Sequence, residues 1–133
     1  LSTAYAEPIA IVVNKSNPAN EMSLKDLTRT FSGYLSRWRD GQKIILVHRN
    51  IGSKARLDFY RKVLNSKSDT EIPGARPTTP PVVIDIPNDN SLLNFISSNP
   101  NAIGYLYAHK ASNAVRVLKI DGYLPDQGGY PIK

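Results

Sequence analysis

Short runs of β-branched residues alternate with segments of helical spacing along this chain, and that alternation constrains the fold more than any other feature. Residues 8–13 (PIAIVV) are continuous and apolar, and Asn17-Pro18 soon follows to stop them, which reads as a buried strand. Ser23 then opens a helix as its N-cap, with Asp26 as a weaker stand-in for the usual capping-box Glu and Leu24, Leu27 and Phe31 on one stripe. Gly33 ends it. Residues 37–41 (RWRDG) form a turn into a second apolar strand over 43–48 (KIILVH). A second helix follows at once, from the N-cap Ser53 through Leu64, with Leu57, Tyr60 and Leu64 spaced to face a core. Beyond it come a strand over 82–86 (VVIDI), a short helix over 91–98 (SLLNFISS), a strand over 103–107 and an alternating edge strand over 115–120 (VRVLKI). The tail from residue 121 is turn-rich. This order predicts an α/β three-layer sandwich: a mixed, mostly parallel sheet of about five strands, flanked by helices and parallel where a helix intervenes.

Residues 65–81 (NSKSDTEIPGARPTTPP) carry four prolines and no periodicity, and are expected to form a long loop or flexible excursion. The whole chain of 133 residues and 14.7 kDa fits one unit with a real core, since a domain near this size buries roughly two-thirds of its unfolded surface. An apolar share of 41% with 8 Gly and 10 Pro excludes collagenous, mucin-like and wholly disordered classes. Without cysteine there is no disulfide framework, thiolate nucleophile or Cys-based metal site. The apolar runs are far below the roughly 20 residues that cross a bilayer, so no membrane insertion is expected. Ala4-Tyr5-Ala6 before Glu7 has the small-x-small form cut by a secretory peptidase, which points to export and to residues 1–6 as a signal-peptide remnant or disordered leader. The expected domain is residues 7–133.

Charge is unevenly placed. The net value is +6, yet residues 25–67 alone reach +8, with 11 Lys/Arg against Asp26, Asp40 and Asp58. A field confined to one third of the chain should attract an anion, nucleic acid or an acidic surface, unless it is only a solvated face. The most informative stretch inside it is the strand-to-helix junction His48-Arg49-Asn50-Ile51-Gly52-Ser53-Lys54. In open α/β sheets ligands sit beyond the carboxyl ends of strands, where a helix start offers unpaired N–H groups and about half a positive charge. Gly52 allows close backbone approach, Ser53 offers a hydroxyl, Arg49 a forked donor pair and Lys54 a point charge. The plain alternative makes Ser53 only a cap and Arg49 a surface residue.

Other constellations are weaker. His48 and His109 are two unconnected imidazoles without the spacing of a metal site. Ser53, His48 and Asp85 lack the G-x-S-x-G setting of a hydrolase, and Gly128-Gly129 lacks that of a phosphate loop. Arg37-Trp38-Arg39 and Tyr60-Arg61-Lys62 interleave aromatics with cations as a nucleic-acid platform does. Tyr60 fits the core stripe and Trp38 a cover over the sheet, so nucleic acid is not expected as a partner.

R-x-x-G-S opening a helix after I-A-I-V-V-N, L-x-x-x-F-x-G and R-W-x-D-G resembles the periplasmic phosphate-binding proteins of ABC transporters. Residues 99–105 (NPNAIGY) resemble the family's N-P-G-A-I-G-Y, while 115–125 (VRVLKIDGYLP) and Tyr130-Pro131-Ile132 resemble its closing segment. The matches run in order from Ile9 to Ile132. The resemblance implies one lobe of a type II periplasmic binding protein, in a short single-lobe form. It also implies phosphate binding through an arginine and a serine placed as Arg49 and Ser53 are, together with the N–H groups of the helix start. Where the family usually reads R-x-D-G-S-G-T, this chain has Ile51, Lys54 and Ala55 in place of Asp, Gly and Thr, and so lacks the threonine hydroxyl. The family closes two lobes on its ligand, and the matches cover about one.

The expected function is therefore a non-enzymatic, exported, periplasmic or secreted solute-binding protein without cofactor or metal. It would hold phosphate or a related oxyanion at Arg49, Gly52, Ser53 and Lys54, in connection with an ABC transporter or an envelope sensor. The alternative is an envelope interaction module that presents its basic cleft face to an acidic protein and has lost the ligand.

Overall fold

The computed structural model describes residues 7–72 and 80–133. Its centre is β1 (Ile9–Val13), every residue of which is buried. Side chains alternate across a strand, and here Ile9, Ile11 and Val13 join one apolar cluster while Ala10 and Val12 join another, so β1 needs cover on both faces. On its flanks run β5 (Ala102–Tyr107) and β6 (Arg116–Val117), both antiparallel to it. Next to β5 lies β3 (Ile45–Arg49), parallel to β5 and to the outermost β4 (Val82–Ile86). The sheet order is β4-β3-β5-β1-β6, a mixed five-stranded sheet whose parallel half carries the helical crossovers.

One face is covered by α1 (Leu24–Phe31) and α2 (Lys54–Val63), through Leu27, Phe31, Phe59 and Val63. The other is covered by α3 (Asp89–Ser98), through Leu92 and Ile96, which completes the three layers. Ser23 caps α1 by accepting from the Asp26 N–H at 3.0 Å, and Gly33, at φ +86°, ends it. The cap of α3 is Asn88, accepting from Ser91, so this helix starts ahead of the expected residue 91. Along α2 the stripe differs from expectation. Leu57 is exposed, while Ala55, Phe59 and Val63 join Tyr60 inside, because the positions that face the sheet recur around 55, 59 and 63.

The expected strand over 115–120 changes partner midway. β6 ends on the edge of the large sheet, Leu118 donates to the Ile11 carbonyl, and β7 (Lys119–Ile120) pairs in parallel with a two-residue β2 (Glu21–Met22). The turn-rich tail is anchored: the Tyr130 hydroxyl donates to the Ile9 carbonyl, and the Ile9 N–H donates to Ile132 at 3.0 Å. Trp38 does cover the sheet, its indole N–H donating to the Asn101 carbonyl at 2.9 Å. The expected loop over 65–81 is irregular but held down over its first part, where the Ser66 hydroxyl bonds the carbonyls of Ser68 and Glu71. Residues 1–6 and 73–79 of the sequence expectations lie outside the described residues.

Where β3 and β5 lie side by side, Gly104 leaves room for Ile96. A methyl there would stand 3.1 Å from Ile96 Cδ1 and 3.3 Å from Val47 Cβ. Gly104→Ala should cost about 1–3 kcal/mol of overpacking, read as a lower midpoint in urea denaturation.

His48, near the end of β3, is packed among Phe31, Phe59, Tyr60 and Tyr105, and Phe59 stacks on Tyr105 at 3.9 Å. Burial pushes the Tyr105 phenol well above its ordinary range, so it keeps its proton. Its oxygen lies 3.4 Å from the Arg49 N–H and 2.8 Å from His48 Nδ1, an arrangement in which the phenol accepts from the former and donates to a neutral imidazole. Burial, and after it the Arg56 charge, lowers the His48 pKa from 6.5 to about 3. The unfolded chain therefore takes up a proton below pH 6.5 that the folded chain refuses. Stability is intact above that pH and falls as the solution is acidified, by about 2 kcal/mol at pH 5. Urea melts at pH 7 and pH 5 measure the loss, and the His48 ring signals should remain those of the neutral form at pH 5.

Candidate functional site

At the carboxyl end of β3 the chain turns through residues 50–52, with Ser53 N–H donating to the Asn50 carbonyl at 3.1 Å, and enters α2. Ser53 caps the helix by accepting from the Arg56 N–H at 3.3 Å, a role that leaves its own hydroxyl proton to donate elsewhere. Gly52 sits at φ +87°, and a Cβ there would meet nothing within 4 Å. Its positive φ is a conformation that favours glycine.

Arg49 is not a surface residue. It is 8% exposed and reaches from β3 past the end of β4 to the start of α3, where Nη1 donates to Asp89 at 2.6 Å and Nη2 to the Pro87 carbonyl at 3.5 Å. Its Nε is buried and has no hydrogen-bond partner among the described residues. The Gly52 N–H donates to Asp69 Oδ2 at 2.6 Å, so a carboxylate of this same chain sits at the helix start, where the positive end of the peptide dipoles favours an anion.

Arg56, buried in the first turn of α2, links these parts. Its Nε donates to the Asp69 carbonyl at 2.8 Å, Nη1 to the Arg49 carbonyl at 3.0 Å and to Asp85 at 3.1 Å, and Nη2 to the Tyr60 hydroxyl at 3.3 Å. Two guanidinium groups thus meet three carboxylates, those of Asp69, Asp85 and Asp89, which balances much of the positive charge at this end of the sheet. Sequence reading missed Arg56 and all three acids as site residues. The i, i+4 spacing of Arg56 and Tyr60 was a usable signal for one, whereas Asp69 lies in a segment without periodicity.

Lys54 points elsewhere. Its ammonium contacts Glu7 and the Tyr107 hydroxyl, each at 3.1 Å, and Asp58 at 3.4 Å, and hydrogen bonds to Tyr107 and then Glu7 hold its pKa above the usual lysine range. Burial pushes the Asp58 carboxyl up, but the Tyr107 hydroxyl that donates to it, with the Lys54 and Lys62 charges, outweighs this and keeps it below its ordinary value. Arg49, Gly52 and Ser53 therefore come together around the junction, while Lys54 belongs to a neighbouring surface network. Ser53, His48 and Asp85 bond Arg56 N–H, Tyr105 and the Arg56 guanidinium respectively, not one another. Among the described residues no group of three or more His, Asp or Glu could hold a metal ion, and no helix is long and apolar enough to cross a membrane. A hollow of about 620 Å³ lies toward the opposite end of β3, between Met22, Trp38, Arg39, Ile44 and Lys119, away from the junction.

Solved structures share this architecture. An ABC-type phosphate transport receptor from Vibrio cholerae matches at a TM-score of 0.73 and 23% identity, over 89% of this chain and 48% of its own. PstS from Borrelia burgdorferi matches at 0.78 and 17%, over 98% and 56%. A phosphate binding protein from Stenotrophomonas maltophilia matches at 0.70 and 19%, over 90% and 40%. At these identities the likeness is one of fold, and this chain spans about half the length of the proteins it matches. The family model of the PBP superfamily domain matches residues 3–130. With nearly its whole length covered, the chain belongs to the PBP superfamily domain family.

Proposed function

We propose that residues 7–133 form a solute-binding lobe that holds phosphate or a related small oxyanion at the start of α2. The setting is ABC-type transport or sensing outside the cytoplasm, and no covalent bond is made or broken. The observation that carries this reading is the 2.6 Å bond from the Gly52 N–H to a carboxylate, which marks the helix start as receptive to an anion. At the same turn, Arg49 keeps a buried Nε donor without a partner among the described residues, and Ser53 keeps a hydroxyl proton. The phosphate-binding names of the structural relatives support the class of solute. Lys54 adds positive charge near the junction rather than a contact. Residues 7–133 by themselves leave the anion partly wet, so this lobe alone should bind with a dissociation constant in about the millimolar range.

A second reading has its own observation. Arg49 is already paired with Asp89, Gly52 with Asp69, and Ile51 is 62% exposed at the tip of the junction. A face on which these two groups are already paired and one apolar side chain projects suits docking to a protein of the cell envelope.

Titration of phosphate, sulfate and chloride into 15N-labelled protein separates the two. Saturable shifts at Gly52, Ser53 and Lys54 with phosphate, and little response to chloride, are expected for the oxyanion site. Arg49→Lys keeps the charge but loses the fork, and should weaken that binding by about tenfold or more. Diffuse shifts that follow ionic strength alone would remove the ligand and leave the docking module.

A further inference from the structure

Asp69 stands where an incoming oxyanion must go. It is 9% exposed, it lies 17 positions beyond Gly52, and it occupies a segment with neither helix nor strand. Arg56 grips its backbone carbonyl at 2.8 Å, which steers the carboxylate onto the Gly52 N–H. Arg49, which ends the strand leading into this turn, is more than nine-tenths buried, and among the described residues its Nε has no acceptor, its guanidinium being held toward Asp89 and the Pro87 carbonyl. A buried donor left unmet is costly, and a ligand with three or four oxygens offers acceptors that a two-oxygen side chain held at Gly52 does not.

We infer that Asp69 is a built-in competitor for the anion site: its carboxylate is the surrogate anion of the empty lobe, and an oxyanion binds by displacing it together with residues 66–72. This inference rests on the oxyanion reading above. Two negative groups cannot share one N–H without repulsion, so binding is an exchange of one anion for another rather than an addition. The affinity observed from outside is then the intrinsic affinity reduced by the fraction of molecules in which Asp69 has let go.

The test uses the intact chain and inorganic phosphate. In the wild type, the amides of residues 66–72 should titrate with the same dissociation constant as Gly52. Asp69→Asn, which keeps the side-chain shape and removes the charge, should bind phosphate about tenfold or more tighter, its 15N spectrum reporting retention of the fold. If Gly52 titrates in the wild type while 66–72 stays still, displacement is overturned even where the variant binds more tightly, since removing a negative charge alone favours an anion. Equal affinities in the two proteins overturn the competitor and leave the oxyanion site standing. Absence of saturable shifts in both overturns the site and the competitor together.

Discussion

Burial of β1 on both of its faces is the constraint from which the rest of the architecture follows. A strand with alternate side chains in two separate clusters requires cover above and below and a hydrogen-bonded neighbour on each side. The first need brings α1 and α2 to one face and α3 to the other, and the second brings β5 and β6 to its flanks. The closing tail belongs to the same demand, since Tyr130 and Ile132 satisfy the backbone of Ile9 that the sheet leaves open. With β1 and β5 in the middle, β3 lies between β5 and β4, and the chain leaves the sheet at its carboxyl end to enter α2. The junction between β3 and α2 is therefore a by-product of how the core is covered.

The polar interior at that junction is organised by one side chain. The guanidinium of Arg56 donates hydrogen bonds to two carbonyls, one carboxylate and one phenol, and its charge also helps keep the neighbouring His48 neutral. Buried cations are stable only where their donors are met, and this one is met by groups from β3, β4, α2 and the segment after α2. It ties the end of the sheet to an irregular segment that has little apolar surface of its own to hold it. Arg49 makes the complementary link toward α3 and is left with a donor to spare.

Strand and helix identities were legible wherever a local pattern decided them. Ser23 and Ser53 cap as their sequence context implies, residues 82–86 form a strand at the expected bounds, and the strand expected over 8–13 forms over 9–13. What escaped was whatever depended on partners far along the chain. The two-residue β2 has no apolar rhythm and exists because β7 lies beside it. The segment over 115–120 keeps a strand's alternation throughout, yet its second half leaves the large sheet for β2, a choice that no local pattern records. Leu57 misled because a leucine at helical spacing looks like core, whereas smaller Ala55 and more distant Val63 mark the face that is covered. At the site, Arg49, Gly52 and Ser53 were readable as one motif. Their carboxylate partners were not, because Asp69 and Asp89 arrive from other segments and only the fold brings them near.

The pairing of β1 with β5 also sets the order in which the chain completes itself during synthesis. Ile11 lies opposite Tyr105, so the most apolar strand leaves the ribosome about ninety residues before its principal neighbour exists. At about 5–20 residues per second, that strand waits about 5–20 seconds with both edges open. The parallel pair of β3 and β4 cannot close those edges, since neither strand borders β1 in the sheet. Nascent chains of this topology thus pass through an interval in which a short run of Ile, Ala and Val is sticky and unpaired, and its protection in that interval falls to whatever meets the chain outside it.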